Sequence, residues 1–328
     1  MYPSPERPDF GVFVARLEQA LAERGHEIVP VVLEREAGGA LRSPAKYSRL
    51  AARAVCTARA LKPDVVYAHY LVPTGVVAML TRVPFVVTAH GGDVANVGHI
   101  PGVRAATKRV LRRAGAVICV SRYLAERLPV SPAHLEVIDC GVDTAAFAPV
   151  PRAAGPGPRF LYVGSLIERK NVGRLIEAFA AVGQGSLTIV GDGPLREQLE
   201  DGAPQGVEFL GRLGQDGVAE QIAAADVVCQ PSLVEPQGQA LLEALARGRP
   251  VVGSRVGGAG EFVTMDCGVL VDPLDVAEIT QGLHAAAALP VPCEAAVEVA
   301  AAHDVNVQAA KIEQVLASVC LRRDGPAT

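Results

Sequence analysis

Hydrophobic residues recur along the chain in short β-rich runs that are separated by stretches with helical spacing. The runs of the first half are Ile28–Leu33, Asp64–Ala68, Phe85–Thr88, Ala116–Val120 and Leu135–Ile138. Those of the second half are Arg159–Val163, Ser186–Val190, Val207–Leu210, Asp226–Cys229, Val251–Val252 and Gly268–Val271. Amphipathic stretches such as Phe13–Arg24 and Val172–Val182 lie between them. This alternation predicts an α/β fold with parallel sheets.

A Pro- and Gly-rich stretch at residues 149–158 interrupts the alternation and reads as a linker. We therefore predict two Rossmann-like domains, residues 1–148 and 159–304, that face each other across a cleft. A last helix at about 305–322 is expected to pack back on the first domain. Ligands of such sheets bind beyond the carboxyl ends of the strands.

The start of the chain departs from this scheme. Residues 1–8 have a loop composition and lead directly into the first predicted helix. A Rossmann-like domain normally begins with a strand, so the first strand of the N-terminal domain is expected to be missing. We expect the native chain to be longer by about 6–9 residues, a typical strand length.

Composition narrows the class of protein. Half of the residues are hydrophobic, but only 4% are aromatic and none is Trp, so Ala, Val and Leu must build the core. No apolar run approaches the ~20 residues that span a bilayer, and the N-terminus shows no signal-peptide pattern. The 7 Cys form no C-x-x-C pair, which indicates reduced thiols in a cytoplasm.

Charge is unevenly distributed around the net value of −4. Residues 1–150 carry 18 basic and 13 acidic side chains, whereas residues 151–328 carry 13 and 22. The basic excess is too small to predict nucleic-acid binding. Four cations recur at helical spacing in the first half: Arg42, Lys46, Arg49 and Arg53. This helix could contact an anionic membrane surface peripherally, or receive an anionic or lipid-linked acceptor, or simply be a solvated face.

Two carboxylates flank the start of a predicted helix in the second half. Glu235 precedes Gly238, and Glu243 follows eight residues after Glu235, so both can face one side of the helix start. Gly238 lets a ligand approach the backbone, and the first-turn N–H groups favour an anion there. Carboxylates that grip sugar hydroxyls beside a phosphate seat fit a nucleotide-sugar site, although Glu is also ordinary in an exposed helical turn.

Other candidate residues follow predicted strands. His90, with Asp93 behind it, comes directly after Phe85–Thr88, and a lone His there can also be a loop residue satisfied by backbone contacts. Gly11 opens the first helix and could admit a phosphate or acceptor.

In the second half, Gly164 and Ser165 follow a strand, and Arg169 with Lys170 could clamp a diphosphate or form a solvated pair. Gly191 and Gly193 end the next strand, either beside a nucleoside or as a plain turn.

Together these residues resemble the retaining glycosyltransferases of family 4, which have the GT-B fold. The resemblance covers nearly the whole chain and keeps the family's order. It rests on the segments 90–93, 120–122, 138–143, 163–171, 191–193 and 235–250.

The resemblance implies a role for each matching residue in the second half. Glu235 corresponds to the acid that holds donor-sugar hydroxyls near the reacting carbon, and Glu243 to the acid that binds the ribose. Lys170 corresponds to the diphosphate-binding lysine. The backbone around Gly238, Gln239 and Ala240 would hold the β-phosphate.

In the first half, the resemblance makes His90 a donor-sugar contact and places Gly11 and Asp93 on the acceptor side. The donor would be a nucleoside-diphosphate sugar, and the acceptor a hydroxyl. No cofactor and no metal ion are expected, because cationic side chains can replace Mg²⁺.

Three positions depart from the family pattern. Ser165 stands where the family usually has a second diphosphate-binding Arg. Arg169 could replace that arginine, but its side chain starts from a different point of the turn. Cys140 and Gln237 replace the usual Asn and Phe. A non-catalytic GT-B subunit that binds a nucleotide or a partner, and a nucleotide-sugar epimerase, therefore remain alternatives.

Overall fold

The computed structural model describes residues 2, 11–33, 44–95, 102–152 and 154–324. The chain forms two compact units. One combines Met1–Cys140 with Asn306–Thr328, and the other is Gly141–Val305. The stretch predicted as a linker, residues 149–158, lies entirely in the second unit.

The first unit is a four-stranded parallel sheet with helices. In chain order its elements are α1 (Val12–Glu23), α2 (Pro44–Leu61), β1 (Val66–His69), α3 (Thr74–Thr81), β2 (Phe85–Ala89), α4 (Gly92–Ala95), α5 (Val103–Arg113), β3 (Ala116–Cys119), α6 (Arg122–Ala125) and β4 (Leu135–Val137). The strand order is β1-β2-β3-β4. Residues of the last helix from Asn306 onward also belong here, and a methyl group on Gly115 would lie only 2.6 Å from Val319 Cγ1 of that helix.

The second unit is a six-stranded parallel sheet. Its elements are β5 (Arg159–Val163), α7 (Val172–Val182), β6 (Ser186–Val190), α8 (Arg196–Asp201), β7 (Val207–Gly211), α9 (Gln215–Ala224), β8 (Val227–Gln230), α10 (Gln239–Ala246), β9 (Val251–Ser254), β10 (Gly268–Val271), α11 (Val276–Ala287) and α12 (Glu294–Ala302). The helix α13 (Val305–Asp324) begins at Val305, which is the last residue of this unit. Two single 3₁₀ turns, Glu168–Lys170 and Gly258–Glu261, lie in loops.

The strand order of this sheet is β10-β9-β8-β5-β6-β7, so the chain winds outward in one direction from β5 and then in the other from β8. The helices that follow β5 and β8, α7 and α10, therefore pack on opposite faces of the sheet. In open α/β sheets this switch point, at the carboxyl ends of the strands, is where ligands bind.

Aliphatic side chains fill the cores, as the low aromatic content predicts. One face of the second sheet buries residues of α9, α10 and α12, among them Ile222, Leu241 and Ala296. The opposite face buries residues of α7 and α11, such as Leu175 and Ile279. Strands covered on both faces read as continuous Val- and Leu-rich runs, which is why the pattern identified them.

Ten of the predicted strands form within a residue or two of their expected ends. The strand expected at Ile28–Leu33 is wrong, because these residues adopt no regular structure. A strand exists only where a neighbour shares its hydrogen bonds, and no described residue pairs with this segment. Among the described residues, no helix combines the length and apolar character that a bilayer crossing requires.

A fully buried arginine ties residues 150 and 151 to the second unit. Arg249 is 0% exposed, and its guanidinium donates to the carbonyls of Val150 at 2.7 Å, Pro151 at 3.2 Å, Ile222 at 3.3 Å, Ala223 at 2.5 Å and Arg247 at 3.2 Å. Burial lowers its pKa to about 10, which leaves it charged at neutral pH. A cation that binds carbonyls at helix ends also opposes their partial negative charge.

Arg152 and Arg159 extend this attachment by sharing one carboxylate. Asp226 accepts from Arg152 Nε at 2.9 Å and from Arg159 Nη2 at 2.7 Å. These bonds hold the Pro-rich stretch against its own unit, and they explain why it does not separate the two units.

Replacing Arg249 by Met should destabilise the second unit strongly. Met fills similar space but leaves five carbonyls without their donor, and losing one partner of a buried charged network costs about 3–5 kcal/mol. Urea unfolding followed by circular dichroism measures the change. Arg255→Met, at an exposed arginine of the same unit, is the control and should change the free energy of unfolding by less than about 1 kcal/mol. Equal midpoints for the two variants would contradict the role given to Arg249.

Candidate functional site

A buried ion pair lies at the switch point of the second sheet. Lys170, from the loop after β5, places Nζ 2.5 Å from Oε2 of Glu235, from the loop after β8. The two side chains are only 13% and 9% exposed. Sequence analysis selected both residues separately, and the topology of the sheet brings them together.

Neighbouring residues fix the two loops to each other. Arg169 accepts at its carbonyl from Leu233 N at 2.9 Å and donates from Nη1 to Val234 O at 2.7 Å. Asn171 is buried in the left-handed region at φ 59°, and its Nδ2 donates to Pro231 O at 2.9 Å and to Pro273 O at 2.7 Å. The pair therefore sits on a rigid base.

Glu235 is held by one oxygen only. Oε2 accepts from Lys170 and from Ser232 Oγ at 3.1 Å, whereas Oε1 has no protein donor among the described residues. The backbone of Glu235 crosses that of Gly257, where a methyl group would lie 1.9 Å from Glu235 O. The carboxylate is thus oriented through one oxygen, and the other oxygen lies outside these hydrogen bonds.

The N-terminus of α10 lies beside this carboxylate. Gly238 is its N-cap at φ 96°, and a methyl group there would lie 3.7 Å from Glu235 Cγ. The N–H groups of Gln239 and Ala240 donate to no acceptor in the described part of the chain. The side chain of Gln239 is turned aside, because Nε2 donates to Gly141 O at 2.9 Å. First-turn N–H groups that have no acceptor in the protein can bind an anion.

Gly164, Gly191 and Gly193 serve the packing of two loops. A methyl group on Gly191 would lie 1.8 Å from Gly164 O, and one on Gly193 would lie 2.3 Å from Leu166 O. These contacts leave no room for a side chain at Gly191 and Gly193, and this explains the two glycines whether or not a nucleoside binds nearby. Their donor-binding role stays a prediction.

Ser165 and Glu243 are two further donor-side predictions. Ser165 is exposed, and its carbonyl accepts from Tyr162 Oη at 3.0 Å. Burial raises the pKa of Tyr162, so this phenol stays a proton donor. Glu243 lies on α10, half-buried.

In the first unit, His90 belongs to a half-buried polar cluster at the carboxyl ends of β1 and β2. Its Nε2 lies 3.1 Å from His69 Nδ1, and its Nδ1 lies 3.7 Å from Cys140 Sγ. The ring of Phe13 is 5.0 Å away and that of Tyr70 is 4.7 Å away. His69, His90, Cys140 and Phe13 line a small cavity that has room for roughly one water molecule.

Burial keeps both imidazoles of the cluster neutral. It lowers the pKa of His69 to about 4 and that of His90 well below its usual value, and the two rings oppose each other's protonation. One proton must occupy the hydrogen bond between them, so the tautomers of the two rings are coupled.

The other predicted residues of the first unit hold the backbone around His90. Asp93 accepts from Leu71 N at 2.9 Å, from His90 N at 3.1 Å and from Gly91 N at 2.9 Å. Burial raises the pKa of Asp93, although these hydrogen bonds act to lower it. Gly11 is the left-handed N-cap of α1, two residues before Phe13. Both residues shape the loops, and their acceptor role stays a prediction.

The basic helix predicted around residue 50 forms as α2. Arg49 and Arg53 are exposed, Lys46 is half-buried, and Arg42 lies outside the described residues. Arg53 Nη1 donates to Val32 O at 3.5 Å.

Sequence reasoning missed His69 and Ser232. The position of His69 at the end of a predicted strand could have found it, because neighbouring parallel strands end at one edge. Ser232 gives no comparable signal. No three His, Cys, Asp or Glu side chains of the described residues lie together as a metal-binding group.

Comparisons with known proteins agree with the geometry. A family model described as Glycosyltransferase Family 4 matches residues 10–146, and one described as Glycosyl transferases group 1 matches residues 157–288. A glycogen synthase of Mycobacterium tuberculosis is 32% identical over 70% of this chain and 61% of its own length. The chain spans only 58% to 61% of the curated relatives that it matches first.

Solved structures share the fold. Sucrose-phosphate synthase from Thermosynechococcus elongatus matches with a TM-score of 0.76 at 24% identity, covering 96% of this chain and 94% of that one. Anabaena HepE in complex with UDP-glucose matches with a TM-score of 0.68 at 25% identity, covering 82% of each chain. The GT-B fold is thus confirmed, and the chain belongs to the group 1, family 4 glycosyltransferases.

Proposed function

We propose that this protein is a glycosyltransferase that moves a sugar from a nucleoside-diphosphate sugar to an acceptor hydroxyl, with retention at the anomeric carbon. The pathway would be polysaccharide, glycolipid or glycoside biosynthesis. One observation carries the proposal: the pair of Lys170 and Glu235 lies at the switch point, beside the N-terminus of α10.

Negative charge grows on the leaving diphosphate as the donor bond breaks. The ammonium of Lys170 has three N–H donors, so it can keep Glu235 and still bind a phosphate oxygen. The N–H groups of Gln239 and Ala240 would bind the β-phosphate. Fixed donors aimed at developing charge lower the barrier without reorganisation.

Glu235 would bind donor hydroxyls through Oε1, and Glu243 the ribose. They are not the acid and nucleophile of a glycosidase, because such a pair must flank a single bond. The leaving phosphate can take the acceptor proton on the same face. We propose that cationic side chains replace a metal ion here.

The donor class has support from a neighbour of the same fold. Anabaena HepE was solved with UDP-glucose, which makes a hexosyl donor the first candidate. The acceptor is proposed to be a hydroxyl compound that is lipid-linked or anionic, received by Lys46, Arg49 and Arg53 at a cytoplasmic membrane face.

A non-catalytic subunit that binds a nucleotide is the second candidate. Ser165 offers no positive charge, and one N–H group of Arg169 is already bound to Val234 O. With fewer cations on the leaving group, binding could persist without transfer.

A nucleotide screen separates the two candidates. Thermal unfolding is followed with UDP, GDP, ADP and TDP, since a ligand at 100 times its Kd adds about 2.7 kcal/mol to stability. Mass spectrometry then looks for transfer or hydrolysis of the matching sugar donors. Stabilisation without product favours the subunit, and no stabilisation by any nucleotide rejects both candidates.

Lys170→Ala and Glu235→Gln should each lower kcat/KM by at least about 100-fold, because each removes a contact made in the transition state. Steady-state kinetics with the donor from the screen measures the loss, and thermal unfolding verifies that each variant folds. Lys108→Ala and Glu278→Gln are controls outside the site. Near-normal turnover of either site variant would remove that residue from the mechanism.

The neutral histidines predict an acid-sensitive first unit. Unfolded His titrates near 6.5, but His69 titrates at about 4 when folded. Its stabilising contribution is therefore complete above about pH 6.5 and is lost as the pH falls toward 4, by up to about 3 kcal/mol. Urea unfolding between pH 7 and 4.5 should give a shallower pH slope for His69→Gln than for the wild type. The exposed His284→Gln is the control, and parallel slopes for all three proteins would contradict the assignment.

A further inference from the structure

The thiol of Cys140 stands beside the two histidines of the first unit, at a position where the family usually has Asn. Its Sγ lies 3.7 Å from Nδ1 of His90, and Nε2 of the same ring lies 3.1 Å from Nδ1 of His69. Each ring nitrogen of His90 therefore meets a protein partner. We call these three side chains, in this order, the thiol–histidine row.

The two rings of the row are arranged for a hydrogen bond and not for face-to-face stacking. Their centroids are 5.3 Å apart, and their planes differ by only 26°. With the two nitrogens 3.1 Å apart, this centroid distance requires that the rings meet edge to edge, nearly in one plane. The lone pair of one nitrogen then faces the N–H bond of the other, which is the alignment that a hydrogen bond prefers.

The surroundings hold the ring of His90 in this orientation. The rings of Phe13 and Tyr70 lie at 5.0 Å and 4.7 Å from it. Asp93 accepts from the backbone N–H of His90 at 3.1 Å, which fixes the loop that carries the ring. Because the heavy atoms are held in this way, the row can differ mainly in the placement of its protons.

The row allows two proton arrangements. In the first, the thiol donates to Nδ1 of His90, and Nε2–H of His90 donates to Nδ1 of His69. In the second, Nδ1–H of His69 donates to Nε2 of His90, and Nδ1–H of His90 faces the sulfur. Both arrangements keep the two imidazoles neutral, which their lowered pKa values require. In each, the two rings have the same tautomer.

The first arrangement satisfies these groups better. Burial and the carboxylate of Asp139 raise the pKa of Cys140 well above its usual value, so the sulfur keeps a proton that it can donate. An unprotonated imidazole nitrogen accepts that proton well, whereas a thiol sulfur is only a weak acceptor for an imidazole N–H. The first arrangement also gives both rings the Nε2–H tautomer, which neutral histidine prefers in water.

We propose that Cys140 is a positioning residue whose thiol fixes the tautomers of His90 and His69. The S–H group donates to Nδ1 of His90, so the proton of His90 lies on Nε2 and is donated to His69. The remaining N–H group of the row is then on Nε2 of His69. No member of the row has to ionise, which suits rings that are packed among aromatic side chains.

The consequence for a ligand rests on the proposed function, in which His90 contacts the donor sugar. Nδ1 of His90 carries no proton, so this nitrogen can only accept a hydrogen bond. A sugar hydroxyl can replace the thiol there, because S–H is the weaker donor. Nε2 meanwhile stays bound to His69, and the ring keeps its orientation. Cys140 thus holds the ring in its accepting form without competing strongly with the ligand.

Long-range proton–nitrogen correlation spectra of the full chain, with isotope-labelled histidine, test the row directly. These spectra show which ring nitrogens carry protons. In wild type at neutral pH, both His69 and His90 should have a protonated Nε2 and an unprotonated Nδ1. The variants His69→Gln and His90→Gln assign the two sets of signals. The exposed His284 is the reference for a solvated ring in the same spectra.

Variants of the thiol separate its proposed role from simple packing. Cys140→Ala should release the row, so that the Nδ1–H form appears on both rings together. Cys140→Ser keeps a hydrogen-bond donor and should retain the wild-type tautomers. Cys56→Ala, at an exposed cysteine of the same unit, is the matched control and should change neither ring. Thermal unfolding confirms that each variant folds.

Kinetics with the donor from the nucleotide screen tests the consequence for the ligand. Cys140→Ala should lower kcat/KM about threefold to tenfold, the worth of one neutral hydrogen bond, and Cys140→Ser should recover most of the loss. Wild type without any transfer would count against the proposed function alone, because the spectra decide the row by themselves. The proposal is overturned if wild type carries Nδ1–H on either ring, or if Cys140→Ala leaves both tautomers unchanged.

Discussion

The contact between Lys170 and Glu235 makes opposite demands on the chain. Two charges must leave water almost completely, which is costly, and under the proposed function they must still reach a ligand. The pair lies at the switch point, where hydrogen bonds join the loops after β5 and β8. Ser232, Arg169 and Asn171 supply the hydrogen bonds that keep the pair in one arrangement. Without them the charges would separate into solvent and lose their direction.

The first unit solves a different problem with neutral groups. His69 and His90 are packed among Phe13, Tyr67 and Tyr70, where a charged imidazole would be unstable. Their shared hydrogen bond therefore sets orientation without adding charge. The second unit thus holds charged side chains at the ends of its strands, and the first unit holds neutral polar side chains there.

Much of this could be predicted from the sequence. Strands buried on both faces give continuous apolar runs, which predict the parallel sheets, and glycines where loops cross give a recognisable spacing, which points to the loops after β5 and β6. The prediction of a strand at Ile28–Leu33 is wrong because a β-rich run does not show whether a neighbouring strand is available to pair with it. The sequence does not predict the hydrogen bond of Ser232 to Glu235, nor those of Arg249 to residues 150 and 151. Both depend on loops that are distant in sequence and meet in space.

Asn171 has a consequence for how such a site can change. It joins the loops after β5, β8 and β10, and it is adjacent to the cation that would meet the diphosphate. Under the proposed function, alterations at this joint would disturb folding and chemistry together, so changes of donor preference would fall outside it. Ser165, which is exposed, is such a position. The departure from the family pattern at this residue thus falls where the architecture tolerates diversification.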